Sequence, residues 1–140
     1  MMVFIDTSAL LAVLDADDLN HSLAKAALEE LLGGGTDLVT HNYVLAETSA
    51  LVFRRLGLEA LRVFETDLRP IIDVVWVTPD VHEAAIGAQL LAARRSLSLV
   101  DCISFEVMRR AGLRSVFAFD AHFRESGYER VSGKPWRQED

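Results

Sequence analysis

Short apolar runs at 2–5, 38–40, 73–77 and 115–119 alternate with stretches whose apolar residues recur at helical spacing. That alternation constrains the fold more than any other feature, because strands separated by helices pair in parallel and are covered on both faces. A further run at 128–131 suits a short fifth strand. In such sheets ligands bind beyond the carboxyl ends of the strands, so the residues just after each run are the ones to inspect for chemistry.

The punctuation between the runs is consistent with this reading. Asp6-Thr7-Ser8 opens a helix running to Leu14, and a second spans 22–32 until Gly33-Gly34-Gly35 stops it. Helices are predicted over 43–56, ended by Gly57, and over 58–68, before Pro70. Thr78-Pro79-Asp80 combines a hydroxyl cap, a first-turn proline and an acid at the positive end of a helix reaching about residue 94. Ser98 opens the next helix and Gly112 closes it. Valine-rich 73–77 reads as a buried strand, with Trp76 in the core. The 140 residues amount to one domain over 1–131 and a polar tail over 132–140 that includes Trp136.

Composition removes several functional classes. The single cysteine, Cys102, excludes an internal disulfide and a Cys-based zinc cluster, and reads as a small buried hydrophobe. No stretch has the length and apolarity of a membrane span, and the first residues lack a secretory pattern, so a cytoplasmic location without membrane contact is expected. Fourteen Lys+Arg against 21 Asp+Glu give a net charge of −7, which argues against a simple basic nucleic-acid binder. It leaves room for an enzyme that places divalent cations between its own carboxylates and a phosphodiester.

Four acids stand where such chemistry belongs. Asp6 and Asp120 follow the first and fourth strands, Asp101 lies in the first turn of the helix opened by Ser98, and Glu47 lies early in the helix after the second strand. Each has an ordinary structural alternative. Asp6 and Asp120 can cap helices or form turns, and Ser98 with Asp101 matches a capping box. Glu47 has the weakest alternative, since its helical neighbours Tyr43, Val44, Ala50 and Leu51 offer it no cation. One metal site accounts for all four acids together, and oxygen donors favour Mg²⁺ or Mn²⁺ over zinc.

The segments Phe4-Ile5-Asp6-Thr7-Ser8-Ala9-Leu10, Leu45-Ala46-Glu47, Leu97-Ser98-Leu99-Val100-Asp101-Cys102 and Phe119-Asp120-Ala121-His122-Phe123 resemble, in order, the four signature blocks of PIN-domain ribonucleases. Chain length and element order are similar to those of the VapC-type toxins of type II toxin–antitoxin modules. The resemblance implies an α/β/α sandwich with a mostly parallel sheet of about five strands. It also implies Mg²⁺-dependent (Mn²⁺ possible) endonuclease activity on RNA, with Asp6, Glu47, Asp101 and Asp120 as catalytic and metal-binding carboxylates. Hydrolysis by a metal-activated water would leave a 5′-phosphate and a 3′-hydroxyl. Ser8 and Ser104 fall where small polar residues line such sites. His122 stands near the position of a further acid found in some members, where it could meet substrate or a metal-bound water. A small antitoxin protein and a homodimer are the implied protein partners.

Other features are less specific. The arginine pairs Arg54–Arg55 and Arg94–Arg95, with Arg109, Arg110 and Arg114, are either solvated helix faces or guides for RNA. His21, His41 and His82 read as structural or exposed. Leu10, Leu11, Val13 and Leu14 with Leu28, Leu31 and Leu32 are either core or a surplus for an interface. A phosphoaspartate mechanism lacks its accompanying aspartate and lysine, and the glycine triplet lacks phosphate-loop spacing. Competing readings are a non-catalytic PIN interaction module and a stand-alone RNA-processing nuclease.

Overall fold

The first apolar run forms β1 (Met2–Ile5) at the middle of a five-stranded sheet, in a computed structural model that describes residues 1–131. The predicted tail, with Trp136, lies outside the described residues. β2 (Asp37–His41), β3 (Ile72–Val75), β4 (Ser115–Phe117) and β5 (Glu129–Arg130) complete a sheet in the order β3-β2-β1-β4-β5, parallel throughout. Phe4 is held in register with Val39 on one side and Val116 on the other. Val3, Phe4 and Ile5 are accordingly inaccessible to solvent, as a central strand between two helical layers should be.

Among the described residues seven α-helices cover the sheet, giving the α/β sandwich expected from the sequence. They are α1 (Thr7–Leu14), α2 (His21–Gly33), α3 (Asn42–Leu56), α4 (Leu58–Val63), α5 (Pro79–Ala92), α6 (Leu99–Ala111) and α7 (Ala121–Glu125). α1 packs on α2 and α3, and α5 packs on α6. The stretch predicted as one helix over 58–68 changes pitch: after α4 it passes through a π-helical turn (Phe64–Leu68) and a 3₁₀ turn (Arg69–Ile71) before β3. Pro70, with its fixed φ and no N–H donor, suits the tightened exit.

Two expectations are corrected. β3 is an edge strand, not a buried one, and it stops at Val75 instead of running to residue 77. Trp76, expected in the core, is 64% exposed. The cause is strand order: among the described residues β3 pairs only with β2, so valine-rich composition does not bury its outer side. The other element ends differ by one or two residues from those expected. α7, a single turn after β4, had no counterpart in the sequence reading beyond a cap or turn at Asp120.

His41, the last residue of β2, fastens this framework. Fully buried, it caps α3 through Nδ1, which accepts the Val44 N–H. Its Nε2–H donates to Ser104 Oγ on α6 at 2.8 Å, and that hydroxyl donates in turn to Val100 O. Burial lowers the His41 pKa from 6.5 to about 3, so the ring is neutral at physiological pH.

Gly57, between α3 and α4, adopts φ 93 and ψ −175, a backbone region essentially closed to side-chain-bearing residues. Gly57→Ala is expected to destabilise the fold by about 1–3 kcal/mol, although a Cβ there would touch nothing. Urea titration checks this, and an unchanged midpoint would show that the corner relaxes.

Candidate active site

Three of the four acids are brought to one place by chain ends of different kinds. Asp6 leaves β1 and caps α1, Asp120 follows β4 and caps α7, and Asp101 sits in the first turn of α6. Each capping role foreseen from the sequence is therefore real. Asp6 Oδ2 accepts from Ser8 N–H at 3.1 Å, Asp120 Oδ1 accepts from His122 N–H at 2.9 Å, and Ser98 with Asp101 forms a reciprocal capping box. Capping does not preclude binding a ligand here. A cap uses one lone pair and fixes the carboxylate's direction, leaving other lone pairs for a ligand.

Ser8 joins the two strand ends. Its hydroxyl donates to Asp6 Oδ2 at 2.8 Å and accepts the Phe119 N–H at 2.9 Å, linking the exit of β1 to the residue before Asp120. The Asp6 N–H also donates to Phe117 O at 3.1 Å. Thr48 on α3 donates to Thr7 Oγ1 at 3.1 Å, anchoring that helix beside Asp6.

The electrostatics record the crowding. Asp6 is almost wholly buried, and its pKa is raised from 3.8 to about 7. Burial is the largest cause, and the charges of Asp101 and Asp120 add to it, against the lowering effect of the Ser8 hydrogen bonds. Asp101 is also raised by burial first and by Asp120, although Ser98 and His122 oppose the rise. Carboxylates that lift one another's proton affinity in this way call for a cation.

His122 completes the cluster. Its Nδ1 stands 2.9 Å from Asp120 Oδ1 and 3.4 Å from Asp101 Oδ2, aligned for a hydrogen bond with neither and closed off from solvent. One donor atom from each of Asp101, Asp120 and His122 falls within a 4.8 Å span. Carboxylate oxygens together with an orphaned imidazole nitrogen fit a divalent metal ion.

The remaining site expectations sit differently. Glu47 is half-buried on α3, one residue before Thr48, and among the described residues its carboxylate makes no hydrogen bond or ion pair. It is not part of the compact Asp101–Asp120–His122 group. Ser104, expected to line the site, is completely buried, with its hydroxyl engaged by Val100 and His41, so its place in the fold is that of a strut. The sequence held no signal for that contact, because His41 and Ser104 lie 63 residues apart.

A cleft of about 310 Å³ adjoins the cluster through His122 and is lined by Arg94, Leu97, Phe105, Arg109 and Tyr128 among others. Arg94 pairs with Glu125 and Arg109 with Glu106. Arg54, Arg55, Arg95 and Arg114 form no ion pair among the described residues. The other histidines are structural: His21 Nδ1–H donates to Ala12 O, and His82 Nδ1 shares a hydrogen bond with the Tyr43 hydroxyl.

Comparison with known proteins places this geometry in context. The profile of the PIN domain matches residues 3–127. The 23S rRNA-specific endonuclease VapC20 of Mycobacterium tuberculosis is 36% identical over 132 residues, spanning 93% of this chain and 98% of its own. The crystal structure of VapC20, described as a sarcin-ricin loop cleaving toxin, superposes with a TM-score of 0.80 at 34% identity, covering 95% of this chain and 99% of that one. FitAcB from Neisseria gonorrhoeae shares the fold at a TM-score of 0.67 and 15% identity, over 98% and 99% of the two chains.

Proposed function

The chain belongs to the PIN domain family, and on that premise we propose that it is a metal-dependent endoribonuclease, the toxin of a type II toxin–antitoxin pair. The observation that carries this reading is the gathering of Asp6, Asp101 and Asp120 from three remote segments into one shared electrostatic site. Asp6, Asp101, Asp120 and Glu47 are the carboxylates proposed to hold the cation, with Mg²⁺ as the physiological ion and Mn²⁺ as an alternative. When bound, the cation supplies an activated water and neutralises charge developing on the phosphate.

The chain's own residues do the positioning. Ser8 holds Asp6 Oδ2 in place, so the free Oδ1 is the oxygen available to a ligand. Ser98 fixes Asp101 Oδ2 through its backbone N–H. His122 lies between the carboxylates and the adjoining cleft, whose lining carries Arg94 and Arg109 together with their acidic partners Glu125 and Glu106; RNA phosphates would compete with those acids for the two guanidinium groups. Arg54, Arg55, Arg95 and Arg114, which form no ion pair among the described residues, are further cations available to RNA. A bound cation would offset the negative charge of the carboxylates that the RNA phosphate must approach.

The specificity of VapC20 for 23S rRNA makes a ribosomal RNA loop the first target to try. Its antitoxin-paired class supports a small antitoxin as partner. Exposed apolar side chains such as Leu90, Leu91 and Trp76 are proposed to be covered by that antitoxin or by a second copy of the chain. Among the described residues no helix is long and apolar enough to cross a membrane, in keeping with a proposed cytoplasmic site of action.

Incubation with ribosomal RNA and Mg²⁺ is expected to give discrete cleavage products that EDTA suppresses. Asp101→Asn is expected to slow cleavage by about 10³-fold, the scale of several kcal/mol of transition-state stabilisation. Intact RNA at all metal concentrations would instead indicate a non-catalytic PIN module.

A further inference from the structure

We propose that His122 is itself a metal ligand through Nδ1, and that this nitrogen shifts the site's preference from Mg²⁺ toward Mn²⁺ and similar borderline cations. The inference rests on the metal-nuclease reading of the same site and adds a donor that the four acids do not supply.

The first observation is a contrast among the four histidines. Three have an Nδ1 with a protein partner: Ala12 O for His21, the Val44 N–H for His41 and the Tyr43 hydroxyl for His82. His122 Nδ1 is sealed from water and makes no aligned hydrogen bond, although Asp120 Oδ1 and Asp101 Oδ2 stand 2.9 and 3.4 Å from it. A buried ring nitrogen left without an aligned hydrogen bond is unfavourable, so its placement makes sense when its lone pair has another use.

The second observation is spacing. Ligands at adjacent corners of an octahedron with bonds of 2.0–2.1 Å stand about 3 Å apart. His122 Nδ1 lies 2.9 Å from Asp120 Oδ1 and 3.4 Å from Asp101 Oδ2, close to that edge length. The ring is also held there. The His122 N–H is tied to Asp120 by the cap of α7, and its neighbour Phe123 is fully buried against Phe4, Phe105 and Tyr128. Backbone cap and aromatic anchor together aim the ring back over the carboxylates.

The chemistry then sets the preference. Mg²⁺ is a hard ion that favours oxygen and retains its waters, whereas imidazole suits ions further along the transition series. A mixed oxygen and nitrogen donor set therefore gains more affinity for Mn²⁺ than for Mg²⁺. The competing explanation for the same distances is a protonated imidazole paired with both acids in place of a cation.

Electron spin-echo spectroscopy of the Mn²⁺-loaded protein distinguishes the two. The wild type is expected to show nitrogen coupling from a directly bound imidazole, which changes to the ¹⁵N pattern in protein labelled at histidine. His122→Asn is expected to lose that coupling and weaken Mn²⁺ binding by about 10-fold or more, with Mg²⁺ binding changed by less than about 3-fold. His82→Asn is expected to leave the coupling intact. The wild-type spectrum alone decides the matter if His122→Asn fails to fold. Mn²⁺ bound tightly with no histidine coupling would overturn the ligand assignment and leave the nuclease reading standing. Failure to bind Mn²⁺ or Mg²⁺ at millimolar concentration would overturn both.

Discussion

Asp6→Asn is expected to yield a protein that no longer cleaves RNA yet melts above the wild type in EDTA at pH 8. Asparagine caps helices as well as aspartate does, so the turn into α1 is retained while a buried charge disappears. The folded pKa of about 7 lies above the ordinary 3.8, so the folded state binds the extra proton between those values. Stability from this group is fully present below pH 3.8 and is lost as pH rises through about 7. At about 1.4 kcal/mol per pH unit, the substitution should recover roughly 2–4 kcal/mol at pH 8, a gain on the order of 10 °C, and nothing at pH 4.

His41 sharpens that test because its sign is opposite. Its folded pKa of about 3 lies below the ordinary 6.5, so its contribution is complete above pH 6.5 and is lost as pH falls toward 3. In the metal-free wild type the two dependences oppose each other across pH 4–6.5 and flatten the profile. In Asp6→Asn the Asp6 dependence is gone while that of Asp101, of the same sign, remains, so stability should drop more steeply on acidification than in the wild type. Thermal melts of both proteins in EDTA from pH 4 to 8 read this directly. A lower melting temperature for the variant at pH 8 would mean that the Ser8 hydrogen bonds outweigh the buried charge.

Phe123→Ala is expected to be the most damaging single truncation near the site. The ring is fully buried, 5.3 Å from the Phe105 ring and 6.2 Å from that of Phe4. Its loss should cost about 3–5 kcal/mol, in the range for large aromatic truncations in a core. Because the five-residue α7 has little else to seat it, Asp120 and His122 should lose their fixed directions as well. The thermal stabilisation given by millimolar Mn²⁺ should therefore shrink along with the melting temperature, while Phe123→Leu restores much of both. A melting temperature that falls with the Mn²⁺ increment unchanged would show that the cap at Asp120 holds the site without its aromatic anchor.

What could be read in advance followed from local chemistry. Apolar runs broken by helical spacing gave the parallel sheet, and acids directly after runs marked the edge where Asp6, Asp101 and Asp120 meet. The order of strands is a different kind of information. Nothing in Asp73-Val74-Val75-Trp76-Val77 says that only one neighbour will lie beside it, so its composition points Trp76 to the core although the ring is in solvent. A single helical turn such as α7 is too short for periodicity to register. The pairing of His41 with Ser104 and the orphaned nitrogen of His122 depend on three-dimensional closure, which residue types alone do not encode.

The Ser8 hydroxyl, shared between Asp6 and the backbone at Phe119, has a kinetic consequence. It holds two strand exits at a set separation before any ion arrives, so loading requires no rearrangement of the polypeptide there. Ion uptake at this edge should then keep pace with the shedding of the ion's own hydration water, and the enzyme would track changes in cation supply almost immediately.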